Sequence, residues 1–139
     1  MDWSVNRTKT HVVPLRDDQF DDVITGADVP VFVAFLADWS GPSRILLPEL
    51  EAFAKMSRDQ AIVVKIDTDL DPETAERLRI RGIPTIVVFY GGREFRRQMG
   101  AMSRTDLSDL LEAVSGARTG DYPVVFEYCL IANDRTTTP

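Results

Sequence analysis

Two serines, Ser40 and Ser43, bracket Gly41-Pro42. A serine hydroxyl becomes a nucleophile when a neighbouring base takes its proton. The one histidine, His11, sits in a short β-branched run, Thr10–Val13, that reads as an edge strand. An activated serine therefore has no imidazole partner and no Ser-His-Asp constellation. The other reading makes Ser40 a helix N-cap, its side-chain oxygen accepting backbone N–H groups of the first turn. The single cysteine, Cys129, forms no internal disulfide and no Cys-based metal site. It is a reactive thiol or intermolecular tether, or, the preferred reading, a small buried hydrophobe. Neither a metal nor a cofactor is expected.

The serines must be positioned by the elements around them. Pro30–Leu36 is apolar without alternation, as in a strand buried on both faces. Asp38–Ser43 is a loop entering a helix whose apolar stripe is Ile45, Leu46, Leu50 and Phe53, with Pro48 inside it. Before these, Asp17 or Asp18 can cap a short helix with Phe20, Val23 and Ile24 on one face, closed by Gly26. After them, Ala61–Ile66 reads as a second central strand. Asp71-Pro72 reads as cap and first residue of a helix ending near Arg81-Gly82. Thr85–Tyr90 and Arg93–Met99 form a hairpin about Gly91-Gly92. Ser103 and Asp106 make a capping box for a last helix that buries Leu107, Leu110, Leu111 and Val114 and stops at Gly116. The order β-α-β-α-β-α-β-β-α predicts an α/β fold, a mixed sheet with helices on both faces.

Composition bounds what such a domain does. The chain has 139 residues, 44% of them hydrophobic and 27% charged, which suits one globular domain. A net charge of −6 disfavours nucleic acid and anionic membrane as partners. No apolar stretch approaches the ~20 residues of a membrane span, and Met1–Ser4 does not open a secretory signal. A cytoplasmic location is expected. Residues 1–116 are expected to form the domain and 117–139 a C-terminal extension. In that extension Tyr122–Ile131 is β-prone and Asn133–Pro139 a polar, fraying end.

The chain resembles the thioredoxin family. The segments that carry the resemblance are Phe32–Trp39, Ser40-Gly41-Pro42-Ser43, Pro48, Lys65-Ile66-Asp67, Gly82-Ile83-Pro84-Thr85, Gly91-Gly92 and Gly100-Ala101, in the family's order and spacing. The resemblance implies a thioredoxin fold, a central mixed β-sheet flanked by helices. It also implies that Ser40 and Ser43 occupy the positions of the family's two cysteines. There a thiolate at a helix N-terminus attacks a disulfide and a second thiol resolves the mixed disulfide. A serine pair has no disulfide state, so it cannot carry out that exchange. Ala34 stands where the family usually holds a buried aspartate, while the neighbouring lysine persists as Lys65, which either reaches the surface or pairs with another carboxylate.

The resemblance further implies a groove for a protein or extended peptide near Pro84. Trp39, Gly41, Pro42, Ile83, Pro84 and Gly100 would line it, with Ile83-Pro84 a cis-proline loop. Two functions follow as expectations. One is a redox-inactive adaptor, assembly factor or chaperone-like subunit. The alternative is a thiol–disulfide oxidoreductase in which serines replace both cysteines. A third reading is a structural component of a larger complex. The oligomeric state is left open.

Overall fold

The computed structural model describes residues 11–119. The elements are β1 (Val13–Pro14), α1 (Phe20–Gly26), β2 (Val31–Leu36), α2 (Gly41–Met56), β3 (Ile62–Asp67), α3 (Pro72–Arg77), β4 (Thr85–Tyr90), β5 (Arg93–Met99) and α4 (Arg104–Thr119). A 3-10 turn at Asp17–Gln19 precedes α1. The strands form one sheet in the order β1-β3-β2-β4-β5. β3 runs parallel to β1 and β2, and β4 antiparallel to β2 and β5, so the sheet is mixed as expected.

Every residue of β2 is buried, as its unbroken apolarity requires of a central strand. Successive side chains alternate between two cores. Phe32, Ala34 and Leu36 pack with Leu46, Leu50 and Phe53 of α2 and Leu107 and Leu111 of α4. Val31, Val33 and Phe35 pack on the opposite face with Phe20 and Ile24 of α1 and Ala75 of α3. Phe32 and Phe53 meet at 4.8 Å between ring centroids. The hairpin turn uses left-handed backbone at Gly91 and Gly92 (φ 66 and 79). The Ser103–Asp106 capping box closes with two 3.1 Å bonds.

Several boundaries differ from expectation. The first strand is Val13–Pro14, fixed by pairing with Val64 and Lys65, and Leu15 N–H continues to the Lys65 carbonyl at 2.8 Å. Asp17 does not cap α1. Its carboxylate accepts the Glu73 amide (3.0 Å), the Thr74 amide (2.8 Å) and the Thr74 hydroxyl (2.6 Å), so it caps α3. Asp71 is the N-cap residue of α3 with Pro72 first in the helix, as expected, but its carboxylate accepts the Asp17 amide at 3.0 Å and makes no capping bond to its own helix. Asp71 thus serves the Asp17 backbone, while Asp17 serves the first turn of α3. α3 stops at Arg77 because Arg79 turns left-handed (φ 58) and Ile80 N–H closes onto the Ala75 carbonyl at 2.9 Å.

Ile45 is not part of the buried stripe of α2. It lies about 100° around the helix from fully buried Leu46 and is 66% exposed. Gly116 does not end α4, which continues to Thr119; its φ is not left-handed, so it interrupts nothing. Cys129, the β-prone run Tyr122–Ile131 and the end at Asn133–Pro139 lie outside the described residues, as does Thr10.

Candidate functional site

Strand register gathers the site at one end of the sheet. Phe35 of β2 pairs with Thr85 of β4, which pairs with Met99 of β5. The chain leaving β2 therefore adjoins Pro84, just before β4, and Gly100, just after β5. Sequence reasoning named residues on all three segments, and the topology brings those segments together.

The β2–α2 loop carries Trp39, whose side chain is 67% exposed. Its backbone is held from below. Ser40 N–H donates to the Ala37 carbonyl at 3.1 Å, and the Arg44 guanidinium donates to the Asp38 carbonyl at 2.7 Å. Ser40 is the N-cap of α2, with Gly41 and Pro42 as the first helical residues. Its Oγ accepts the Ser43 amide at 3.2 Å. Ser43 Oγ in turn accepts the Ala37 amide at 3.3 Å, tying the first helical turn back to the strand end. Both serines are buried, and these bonds occupy their oxygens with backbone amides.

The second segment is Gly82-Ile83-Pro84. The Ile83–Pro84 peptide is cis, as expected. Pro84 is buried and Ile83 half-buried. The Thr85 hydroxyl donates to the Gly82 carbonyl at 2.7 Å. Gly100 adopts φ +100 and its amide donates to the Pro84 carbonyl at 2.8 Å. Beneath the site, Ala34 is fully buried and pairs across β2–β3 with half-buried Lys65. Among the described residues no group of His, Cys, Asp and Glu side chains is arranged to hold a metal.

Two contributors were missed from the sequence. Met99 lies over Gly82, where an added Cβ would come within 2.5 Å of the Met99 sulfur, yet it stays 61% exposed beside Ile83. Its signal was weak, one of two apolar residues, with Phe95, in a strand otherwise charged or polar. Arg44, which fixes the loop below Trp39, carried no signal beyond being a helix-surface base.

The family model for thioredoxin matches residues 11–113. The chain belongs to the thioredoxin family. Thioredoxin 1 of Nostoc sp. is 38% identical over 98 residues, covering 70% of this chain and 92% of its own. Thioredoxin of Alicyclobacillus acidocaldarius is 39% identical over 100 residues, covering 72% and 94%. Among solved structures, chloroplastic thioredoxin z superposes with a TM-score of 0.71 at 30% identity, over 76% of this chain and 95% of that one. The thioredoxin fold therefore accounts for the element order from β1 to α4. Ser40 and Ser43 stand at the start of α2, where the resemblance places the thioredoxin thiols.

Proposed function

We propose that this chain engages an extended segment of a protein partner at the loop-lined end of its sheet, as a thioredoxin whose two thiol positions are held by serines. The observation that supports the reading is the strand register that sets the end of β2 beside Pro84 and Gly100, with Trp39 exposed on the loop that follows β2. In this reading the backbone of Ile83, just before the proline, pairs strand-like with a peptide, and Trp39, Ile83 and Met99 supply apolar contacts. The similar curated relatives are named thioredoxins, which supports thiol–disulfide oxidoreductase work as the activity of this architecture over a dedicated adaptor role.

As the chain stands, the exchange step lacks both sulfurs at the loop. An attacking thiolate and a resolving thiol are each required. A second reading, a redox-inactive adaptor, is favoured by one specific residue. Ala34, buried under the loop, leaves no acid–base group where thioredoxins usually carry a carboxylate. No helix among the described residues is long and apolar enough to cross a membrane, and a cytoplasmic setting belongs to this proposal.

Restoring cysteine tests both readings. Ser40→Cys alone should form stable mixed disulfides with protein substrates, because Ser43 cannot resolve them. The double Ser40→Cys, Ser43→Cys variant should reduce protein disulfides catalytically. Failure of both would remove the oxidoreductase reading. If Ala34→Asp then accelerates the double variant markedly, the adaptor reading gains; if the double variant is already fast, that reading falls.

A further inference from the structure

A second concavity lies at the far end of α2 from the serines. The 16 residues of α2 place Met56 about 24 Å along the helix axis from Ser40. There, a groove of about 650 Å³ runs between the last turn of α2 and the C-terminal half of α4. Phe53 and Leu111, both buried, line it with Val29, and Met56 stands on its rim at 61% exposure. Ser108 and Ser115 contribute small side chains along α4. This volume is in the range of sites that hold apolar ligands.

We propose that this groove seats the chain's own segment Tyr122–Ile131. The helix that forms one wall delivers the chain to the groove. Ser108, Leu111 and Ser115 lie on one stripe of α4, and Thr119, its last residue, is one turn beyond. Gly120 follows directly and suits a reversal of direction. A turn over Gly120 and Asp121 leaves Tyr122 near the end of α4. Each further extended residue covers about 3.3–3.6 Å, so two residues span the roughly 6 Å of helix between Thr119 and Ser115 and the rest of the segment reaches the groove.

The segment itself needs cover. Within Tyr122–Ile131 the only charged residue is Glu127, and Val124, Val125, Phe126, Leu130 and Ile131 are strongly apolar. Water exposure of such a run is unfavourable in proportion to its area. The sheet edges receive it poorly. β1 has two residues, one of them Pro14, which lacks an N–H. β5 carries Arg93, Arg96 and Arg97, the charged character that discourages edge pairing. The α2–α4 groove offers the apolar side chains of Val29, Phe53, Met56 and Leu111, with Asp59 and Glu112 among the polar residues of its lining, and neither proline nor arginine lines it.

Cys129, the chain's only thiol, provides a reporter in the intact protein. A nitroxide on Cys129 should erase the amide NMR signals of Met56, Leu111 and Ser115 in the same molecule. A mixture of spin-labelled unenriched chain and unlabelled 15N-enriched chain should show no such loss. Unchanged groove signals, loss centred on β1 or β5, or loss in the mixed sample would overturn the proposal; the last would put a second copy in the groove. Because a label can disturb docking, chymotryptic cleavage after Phe126 and Tyr128 is the second measurement. Cleavage should be slow in the unmodified chain and accelerate in Ser115→Trp, which fills the groove. Equal rates in the two would also overturn the proposal.

Discussion

The Gly100 amide donates to the Pro84 carbonyl at 2.8 Å. That bond extends the β4–β5 ladder, in which Thr85 pairs with Met99, one step past the strand ends. It locks the turn after β5 to the cis-proline segment, and Met99 packs back over Gly82 on the same side. Two of the three walls of the candidate groove are therefore one hydrogen-bonded unit. The third, the Trp39 loop, is fastened separately through Ser43 and Arg44.

Gly100 and Gly41 should respond differently to the same substitution. Neither has an atom within 4 Å of a built Cβ, but only Gly100 is left-handed, at φ +100. Gly100→Ala should lower stability by about 1–3 kcal/mol through backbone strain. Gly41→Ala, in the first turn of α2, should be neutral or stabilising by a few tenths of a kcal/mol up to about 1 kcal/mol. Urea unfolding midpoints of the two variants check this, and equal losses would contradict it.

The serines should contribute to stability by distinct routes. Ser40→Ala removes the N-cap acceptor for the Ser43 amide and should cost about 1 kcal/mol. Ser43→Ala leaves the buried Ala37 amide without its side-chain acceptor and should cost about 1–3 kcal/mol. The two residues share one turn and one bond, so the double variant should depart from additivity. Denaturant titration of the two single variants and the double variant measures each term and their coupling.

Trp39→Ala should separate binding from folding. At 67% exposure the indole adds little to the core, so unfolding midpoints should move only slightly. If Trp39 is a hot spot of the proposed groove, affinity for a bound peptide should fall by about 2 kcal/mol or more. Calorimetric titration with a peptide from a captured partner reads the change. Undiminished affinity would take Trp39 out of the interface.

Much of this was legible because it rested on local rules. The apolar run of β2, the glycine pair of the hairpin and the Ser103–Asp106 box each follow from residues adjacent in sequence. The site was legible through motif order, since Ser40-Gly41-Pro42-Ser43 and Ile83-Pro84 lie on segments that strand register makes neighbours. What escaped was long-range. Nothing near Asp17 in sequence shows that its acceptors are used 57 residues away, at Thr74. Ile45 was placed in the stripe on hydrophobicity alone, though Leu46 one position on already filled that face. Gly116 has the residue type of a helix stop, but α4 continues without needing a left-handed residue there.

The Asp17 cap of α3 gives the fold a pH-dependent fastening. Partial burial pushes the Asp17 carboxyl up, but the hydrogen bonds from the Thr74 hydroxyl and the Thr74 and Glu73 amides, with the charge of Arg77, hold it below the usual carboxylate value. A carboxyl depressed in the folded state stabilises through its ionised form. Its contribution is complete above the unfolded value, about 3.9, and fades as pH falls through the lower folded value. Asp17→Ala should therefore cost about 1–2 kcal/mol at pH 7, as loss of a helix cap does. The gap between wild type and variant should begin to narrow as pH falls through the unfolded value, about 3.9, where the unfolded chain takes up the proton first, and close as the folded carboxyl is protonated at its lower value. Asp71→Ala removes the carboxylate that accepts the Asp17 amide and should loosen the same junction. Unfolding free energies of wild type and Asp17→Ala at pH 7, 5, 4 and 3 test the linkage. A gap that stays constant across that series would show that Asp17 acts through packing and not through its charge.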